Sequence, residues 1–303
     1  MNRRRGSLSL GERVGVRVCA HDPSLESAPT PSPLTPPPPR GGEQTGSLVR
    51  MNPLFRALVE REIKNRFIGG ALSPVWWLAQ PLLSLGVYAL VFGLFMRAAV
   101  PARYGDSFVA YLAVGLWPWL AFAESVTRSA TSLIAQASLI TKTALPRAFV
   151  PLSTVLVTFA LNWLALTVIV LLFKALGFSM HVSGIVFSLP AWIALLLTAM
   201  GLAWIVSAAQ VLVRDIDGML GPLLMLLSFV CGIQYGLESI PAEWRGVVLA
   251  NPFTQVIERM HDTYLAGAGF ALMDVYLVVG AALIAWLGYV FFKRVAPHVD
   301  DYL

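Results

Sequence analysis

Residues 184–213 read GIVFSLPAWIALLLTAMGLAWIVSAAQVLV, a stretch that contains no Asp, Glu, Lys or Arg. A helix needs about 20 apolar residues to cross the hydrocarbon core of a bilayer. Within hydrocarbon every backbone donor and acceptor must find a partner inside the protein, which favours a helix over an open strand. This stretch is therefore predicted to be a membrane-spanning helix.

Five further runs share this lack of charged residues. They are residues 75–96, 108–123, 150–173, 219–237 and 275–292. The run 108–123 is marginal in length, and continuation through Glu124 to Val126 would complete its crossing. With 57% hydrophobic and 13% charged residues, the chain has too little polar surface to cover a soluble globule. We expect an all-α membrane protein with six transmembrane helices.

Basic residues divide unequally between the alternate loops of this topology. From Met51 onward, ten Lys and Arg residues fall on the side of the chain termini and five on the other side. Positive charge favours the cytoplasmic side, so both termini are predicted to be cytoplasmic. The net charge of +5 fits contact with anionic membrane lipids. No basic stripe with interleaved aromatic residues appears, so we expect no nucleic-acid partner.

The first fifty residues differ in composition from the rest of the chain. They contain seven arginines, a proline-rich stretch at 29–39 and no apolar run of span length. Such a segment cannot bury enough apolar surface to fold, so residues 1–50 are predicted to be a disordered Arg/Pro-rich leader before a transmembrane domain at 51–303. An alternative is that translation begins at Met51.

Residues 53–67 have the pattern of an amphipathic helix. Four apolar side chains recur every four residues and share one face: Phe55, Val59, Ile63 and Phe67. Charged residues occupy the other faces, and the first apolar run follows closely. This arrangement favours a helix that lies in the cytoplasmic interface of the membrane. A charged helix packed on soluble protein is the alternative.

Residues 127–149 form the longest predicted cytoplasmic loop. Its apolar residues Leu133, Ile134, Leu139 and Ile140 alternate with small and polar ones. The segment is too polar to span a membrane and too apolar for a plain linker, so we predict a short helix that presents apolar side chains to a soluble partner. A solvated connector is the alternative.

Residues 238–274 connect the last two predicted spans on the outer side. Asn251 followed by Pro252 is a strong helix start, because Asn caps a helix and Pro suits its first turn. The stretch 247–253 is too short to cross the bilayer. We predict short helices that lie on the outer boundary of the membrane or dip into it.

The chain carries no familiar enzyme signature. It lacks the Gly-rich phosphate loop, His-Glu-x-x-His and Gly-x-Ser-x-Gly. Its two cysteines imply no disulfide framework, and its four histidines lack metal-ligand spacing, so we expect no metal site and no bound cofactor. The apolar runs contain no ionisable acid or base to bind a coupling ion. If the protein is a transporter, its energy is predicted to come from another subunit.

Aromatic residues are candidates for lining a substrate path, because flat rings stack on the C–H faces of sugars. The candidates are Tyr88, Tyr111, Trp117, Trp119, Tyr235 and Trp244. The alternative for most aromatic residues is a place in the membrane-interface belt or in lipid-facing packing.

An ordered set of motifs resembles the polysaccharide-export permeases of the ABC transporter type-2 superfamily, and it covers about residues 52–303. The motifs are Arg61-Glu62-Ile63-Lys64-Asn65-Arg66-Phe67 with Leu72, Pro74, Trp76 and Pro81; Leu139-Ile140, Lys142, Pro146-Arg147 and Pro151; Val213-Arg214-Asp215; Ile240-Pro241 with Trp244; and Asn251-Pro252-Phe253. Two positions depart from the family pattern. Ser73 stands where the family usually has glycine, and Arg294-Val295-Ala296 stands where it often has Arg-x-Glu.

The resemblance implies a homodimer of six-span subunits in the bacterial inner membrane that binds two copies of a cytoplasmic ATPase. ATP and Mg would bind to that partner, and the cargo would be a lipid-linked polysaccharide such as O-antigen, capsule or teichoic acid. The resemblance further implies roles for two sets of residues, together with external gate helices after the fifth span. A gate helix would contain Arg61, Lys64, Arg66 and Phe67, and ATPase coupling would involve Leu139, Ile140, Lys142, Pro146 and Arg147.

Two other functions remain open at this point. One is a type-2 permease for a drug or another hydrophobic small molecule, since some of these exporters also lack a large external domain. The other is a membrane scaffold that transports nothing, which would explain the spans but not the ordered motifs.

Overall fold

The computed structural model describes residues 43–67, 73–98, 100–105, 107–142 and 145–299, and these residues form helices and turns without a strand. The helices in chain order are α1 Glu43–Phe67, α2 Ser73–Tyr88, α3 Phe108–Ala135, α4 Ala137–Lys142, α5 Phe149–Ala175, α6 Gly184–Phe187, α7 Leu189–Leu212, α8 Ile216–Val230, α9 Ala242–Ala250, α10 Pro252–Tyr264 and α11 Leu272–Val299. A π-helical segment, Ala89–Phe95, continues α2.

Five helical segments in the described part of the chain are long and apolar enough to cross a membrane. They are Val75–Phe95, Phe108–Ala135, Phe149–Ala175, Gly184–Leu212 and Leu272–Pro297. Four of them match predicted runs closely, and Phe108–Ala135 extends well beyond the run at 108–123. The prediction of an all-α membrane protein is confirmed.

The run at 219–237 forms a shorter helix than its apolar length suggests. Helix α8 ends at Val230 after 15 residues, which is about 22 Å at 1.5 Å per residue. Gly232 has a φ of +69°, a left-handed conformation that favours glycine and ends the helix. Residues beyond it fold into a buried turn, in which Ile233 and Gln234 are fully covered. A sixth crossing by α8 therefore stays a prediction.

Two predicted boundaries differ from the structure. Helix α1 begins at Glu43 rather than at residue 53, so residues 43–50 of the leader, predicted to be disordered, are helical. The disorder prediction for residues 1–42 lies outside the described residues. Much of the predicted loop at 127–149 is also helical, because α3 continues to Ala135 and α4 follows. Nothing between residues 127 and 135 breaks a helix, since neither Pro nor Gly occurs there.

Helix α3 is the centre of the fold. Its neighbours α5, α7, α8 and α10 cover it, and Leu112, Trp117 and Phe122 are among its fully buried side chains. A second, smaller core is separate from the one around α3 and contains Leu58, Ile140, Trp204 and Phe292. The bundle thus has one core around α3 and one that joins α1, α4, α7 and α11.

Helices α7 and α11 approach each other so closely that only glycine fits at their crossing. A Cβ atom on Gly288 would lie 2.6 Å from the Cα atom of Gly201, and a Cβ atom on Gly201 would lie 2.6 Å from the carbonyl oxygen of Ile284. Small residues at such contacts are typical of helix packing in membranes, where close backbone approach provides much of the attraction.

Helix α2 and helix α8 leave most of their surface uncovered within the subunit. On α2, Leu85 is buried while Trp76, Leu83 and Val87 are exposed. On α8, Met219 and Leu226 are among the exposed residues. In a membrane protein these faces contact lipid or a further protein chain.

Candidate gate and coupling site

A buried polar cluster joins α1 to the centre of the bundle. The guanidinium of Arg66 in α1 lies 3.0 Å from Oε1 of Glu124 in α3, and the Arg66 side chain is only 2% exposed. The same guanidinium donates a hydrogen bond to Oγ1 of Thr158 in α5. The second carboxylate oxygen of Glu124 accepts from Nδ2 of Asn162, at 3.2 Å. Four side chains therefore connect three helices.

The charge of Arg66 depends on these partners. Burial lowers the pKa of its guanidinium, and the carboxylate of Glu124 opposes that shift. Arginine stays protonated in proteins, so the pair is an ion pair. A buried charge that lost its partner would be strongly destabilising.

A second ion pair holds α1 against α3. Arg128 Nη2 lies 2.7 Å from Oε1 of Glu62, whose side chain is 8% exposed. Helix α1 is thus attached to α3 at two points, about one helical turn apart.

The predicted gate residues divide between two faces of α1. Arg66 and Phe67 face the protein, and the Phe67 ring packs edge-to-face against Trp77 with 6.4 Å between centroids. Arg61 and Lys64 are exposed. Sequence reasoning missed Glu62, Arg128 and Asn162 as partners, because pairing between helices leaves no periodic signal.

The predicted coupling segment packs onto the small core. Ile140 is 9% exposed, and Leu145 at 6% lies beside it. Leu139 is partly buried and Pro146 is exposed. Arg147 Nη1 donates to the carbonyl oxygen of Ala296 in α11, at 2.6 Å.

This segment contacts α11 through Arg147 and shares the small core with Leu58 of α1. Lys142 ends α4, and its side chain lies outside the described part.

The turn between α7 and α8 is shaped by a glutamine that the motif did not include. Gln210 Nε2 donates to the carbonyl oxygen of Arg214, and its Oε1 accepts from the backbone N–H of Asp217, both at 2.8 Å. The side chains of Arg214 and Asp215 are exposed. These two residues therefore mark a sharp turn rather than a buried contact.

At the opposite end of the bundle, the predicted helix start at Asn251 is present. Asn251 Oδ1 accepts from the backbone N–H of Phe253 at 3.0 Å, and Pro252 is the first residue of α10. Helix α10 then carries Glu258, His261 and Asp262 toward the turn before α3. The short helices α9 and α10 follow α8, as the sequence predicts.

A cluster of charged and polar side chains connects α10 to the turn that precedes α3. The Tyr104 hydroxyl lies 3.0 Å from Oε2 of Glu258 and 2.8 Å from Oδ1 of Asp262, so its one hydrogen can be donated to either carboxylate. Arg103 Nη2 lies 2.6 Å from the same Glu258 oxygen. The His261 ring is fully buried and stacks on Tyr111 at 3.9 Å between centroids.

Glu258 gives this cluster a pH dependence. Burial raises the pKa of Glu258, but the nearby His261 ring at 3.9 Å, the hydroxyl of Tyr104 and the charge of Arg103 outweigh burial and hold its pKa below the usual 4.5. A carboxylate with a lowered folded-state pKa contributes stability that is complete above its unfolded pKa. That contribution is lost as the pH falls through the folded-state value.

We therefore expect Glu258→Gln to lower the thermal unfolding midpoint at neutral pH. The difference from wild type should begin to shrink near pH 4.5 and should vanish below the lower folded-state pKa, where Glu258 of the folded wild type also becomes neutral. Tryptophan fluorescence of the purified protein between pH 7 and about pH 3 measures both midpoints. A difference that stays constant across this range would contradict the assigned role of the Glu258 charge.

The candidate path-lining aromatics do not share one surface. Tyr111, Trp117 and Trp119 are buried in the core of the subunit, where Trp119 packs on Phe122 and Phe253. Tyr88 and Tyr235 are partly buried, and Trp244 is 61% exposed. A buried ring cannot contact a passing substrate in this conformation, and a role for any of these six residues in a substrate path stays a prediction.

Comparison with known proteins agrees with this architecture. Residues 53–265 match the family described as ABC-2 type transporter, so the chain belongs to that family. The chain is 30% identical to the O-antigen export system permease protein RfbA of Klebsiella pneumoniae over 216 residues, which are 71% of this chain and 81% of the relative.

Two other relatives extend the comparison. Identity to RfbA of Myxococcus xanthus is 32% over 208 residues, which are 67% of this chain and 77% of the relative. Identity to the polysialic acid transport protein KpsM of Escherichia coli is 25% over 215 residues, which are 70% of this chain and 81% of the relative. The chain is thus a multi-pass membrane permease subunit, and the family predicted from its motifs is confirmed.

Proposed function

We propose that this chain is the membrane subunit of an ATP-driven exporter that moves a lipid-linked polysaccharide across the bacterial inner membrane. The observation that carries the proposal is the match, over most of the chain, to permeases named for export of O-antigen and transport of polysialic acid. The unequal distribution of basic residues supports cytoplasmic termini.

In this proposal two copies of the chain form the conduit, and membrane lipids cover the apolar faces that remain. The uncovered faces of α2 and α8 suit contact with the second copy, and α8 would complete a sixth crossing within that assembly. Two ATPase subunits would bind ATP and Mg on the cytoplasmic side.

Energy transfer would begin at residues 139–147. Closure of the ATPase pair on nucleotide binding would press on this segment, of which Pro146 is exposed. The shared core with Leu58 would pass the displacement to α1. Movement of α1 would in turn act on the Arg66–Glu124 pair and shift the bundle between two conformations.

The decisive experiment deletes the gene and restores it from a plasmid in the source bacterium. We expect deletion to remove the surface polysaccharide and the full chain to restore it. A tagged chain should copurify with an ATPase subunit whose hydrolysis rate rises when lipid-linked polysaccharide is added.

Other outcomes would overturn this proposal. Unchanged surface polysaccharide together with drug sensitivity would favour a small-molecule permease. The absence of any ATPase complex, with unchanged surface polysaccharide, would favour a scaffold.

A further inference from the structure

A cavity of about 200 Å³ lies between α2, α3 and α5. Its lining residues are Trp77, Gln80, Pro81, Ser84, Leu120, Glu124 and Asn162. This volume is below the range of about 300–1,000 Å³ that holds drug-sized ligands, so the cavity suits one small ring.

The polar residues of α2 are placed on one face toward this cavity. Trp77, Gln80 and Ser84 recur at helical spacing, whereas Trp76 and Leu83 lie on the exposed, apolar face. Pro81 has no amide hydrogen to donate to the carbonyl of Trp77, four residues earlier. Gln80 is exposed and lines the same cavity as the carboxylate of Glu124. An ionisable residue within a membrane-spanning helix is a candidate for a functional site.

The hydrogen-bonding groups in the cavity are mainly acceptors. Among the described residues, each oxygen of Glu124 has one protein partner, Arg66 or Asn162, and a carboxylate oxygen can accept a second hydrogen. The amide nitrogen of Asn162 already donates to Glu124 and to the carbonyl of Thr158, so its oxygen is the atom that remains for a ligand. Gln80 adds both a donor and an acceptor.

This set fits a neutral ligand with several hydroxyl groups. Hydroxyls would donate to Glu124 and Asn162, and the indole of Trp77 would pack against a C–H face. A phosphate or carboxylate ligand fits poorly, because Glu124 repels an anion and Arg66 is already paired with it.

We propose that this cavity binds one sugar unit of the exported polysaccharide, an inference that rests on the proposed function. Trp77 is the stacking surface, and Gln80, Ser84, Glu124 and Asn162 contact the hydroxyls. Because Phe67 at the end of α1 packs on Trp77, movement of α1 changes the shape of the site. The site thus couples sugar binding to the position of the gate helix.

The test compares Trp77→Ala with Trp286→Ala in the deletion strain. Trp286 lies on α11, is 60% exposed and has no part in the cavity, so it is a matched loss of one indole. We expect Trp77→Ala to lower surface polysaccharide about tenfold at equal membrane abundance, and Trp286→Ala to match wild type. Trp77→Phe keeps an aromatic face and should retain more export than Trp77→Ala.

A direct binding measurement uses the purified full chain in a detergent without a sugar headgroup. The probe is polysaccharide released from the same bacterium by mild acid, and its binding quenches tryptophan fluorescence. We expect the apparent Kd to rise about tenfold in Gln80→Leu, which removes one amide and leaves every tryptophan in place. This variant also carries the test if Trp77→Ala fails to insert.

The outcomes separate the two proposals. Full export and unchanged binding in both Trp77→Ala and Gln80→Leu, with a functional wild type, would overturn the sugar site alone. Failure of the wild-type chain to restore surface polysaccharide would overturn the proposed function and the sugar site with it.

Discussion

Gly288→Ala is expected to cause a large loss of folded protein, because it forces α7 and α11 apart. The new Cβ atom would lie 2.6 Å from Cα and 2.7 Å from the carbonyl carbon of Gly201, and closer still to its carbonyl oxygen. All three are backbone atoms, which cannot rotate away as a side chain can. Overpacking usually costs about 1–3 kcal/mol, and we expect at least the upper end here.

Gly280→Ala is the matched control for this prediction. Gly280 lies on the same helix, and a Cβ atom there would have no atom of the described residues within 4 Å. The measurements are the yield of monodisperse protein after purification and the midpoint of thermal unfolding. Equal midpoints for Gly288→Ala and Gly280→Ala would mean that the α7–α11 contact is looser than the structure indicates.

Arg259→Met is expected to destabilise the protein by about 3–5 kcal/mol, because it leaves a buried carboxylate without its partner. Arg259 in α10 places Nε 2.6 Å from Oδ1 of Asp274 and Nη2 2.8 Å from Oδ2. Both side chains are nearly inaccessible, at 6% and 5% exposed. Asp274 also accepts a hydrogen bond from the backbone N–H of Ala271 at 2.8 Å. If the unpaired carboxylate moved toward water, this hydrogen bond would break and the start of α11 would loosen.

The Arg56→Met variant provides the comparison with an exposed ion pair. Arg56 lies 3.0 Å from Glu60, but their side chains are 82% and 52% exposed. Such a pair contributes about 0–1 kcal/mol, so Arg56→Met should unfold close to wild type in a denaturant titration. Adding Asp274→Leu to Arg259→Met should recover part of the lost free energy of unfolding. Equal losses in the single and double variants would count against an unpaired buried charge as the cause.

Apolar length predicted most of the transmembrane helices because membrane insertion depends on local composition. The runs at 150–173 and 184–213 agree closely with helices Phe149–Ala175 and Gly184–Leu212. The same criterion overestimated α8, because the apolar residues after Val230 are buried in a turn rather than in a helix. Hydropathy measures the preference to leave water and does not distinguish lipid from protein interior.

The predicted end of α3 was wrong because the charged residues were assumed to lie outside the span. Glu124 and Arg128 suggested that the second span ends near residue 126, yet both lie within Phe108–Ala135. Each is neutralised by a partner from α1, Arg66 or Glu62. Such pairs are distant in sequence, so no local pattern predicts them.

For the candidate site, the sequence predicted the local helix cap but not which aromatic rings are buried. The cap of α10 depends on adjacent residues, so Asn251-Pro252 was readable from the sequence. The sequence did not divide the aromatic candidates, such as Trp117 and Trp244, into core and surface rings, because the burial of a ring depends on helices that are distant along the chain. Only their packing places one in the core and the other on the surface.

Composition and motifs were sufficient to predict a helical membrane protein with the ordered motifs of an ABC-2 permease. Those properties depend on composition, on periodicity and on residues that are near neighbours along the chain. The packing of the helices was needed to show that Arg66, Glu124 and Asn162 meet, that Gly201 and Gly288 are in contact, and that Trp77 lines a cavity. The reason is physical: these contacts join separate helices, and their free energy exists only after the helices have packed.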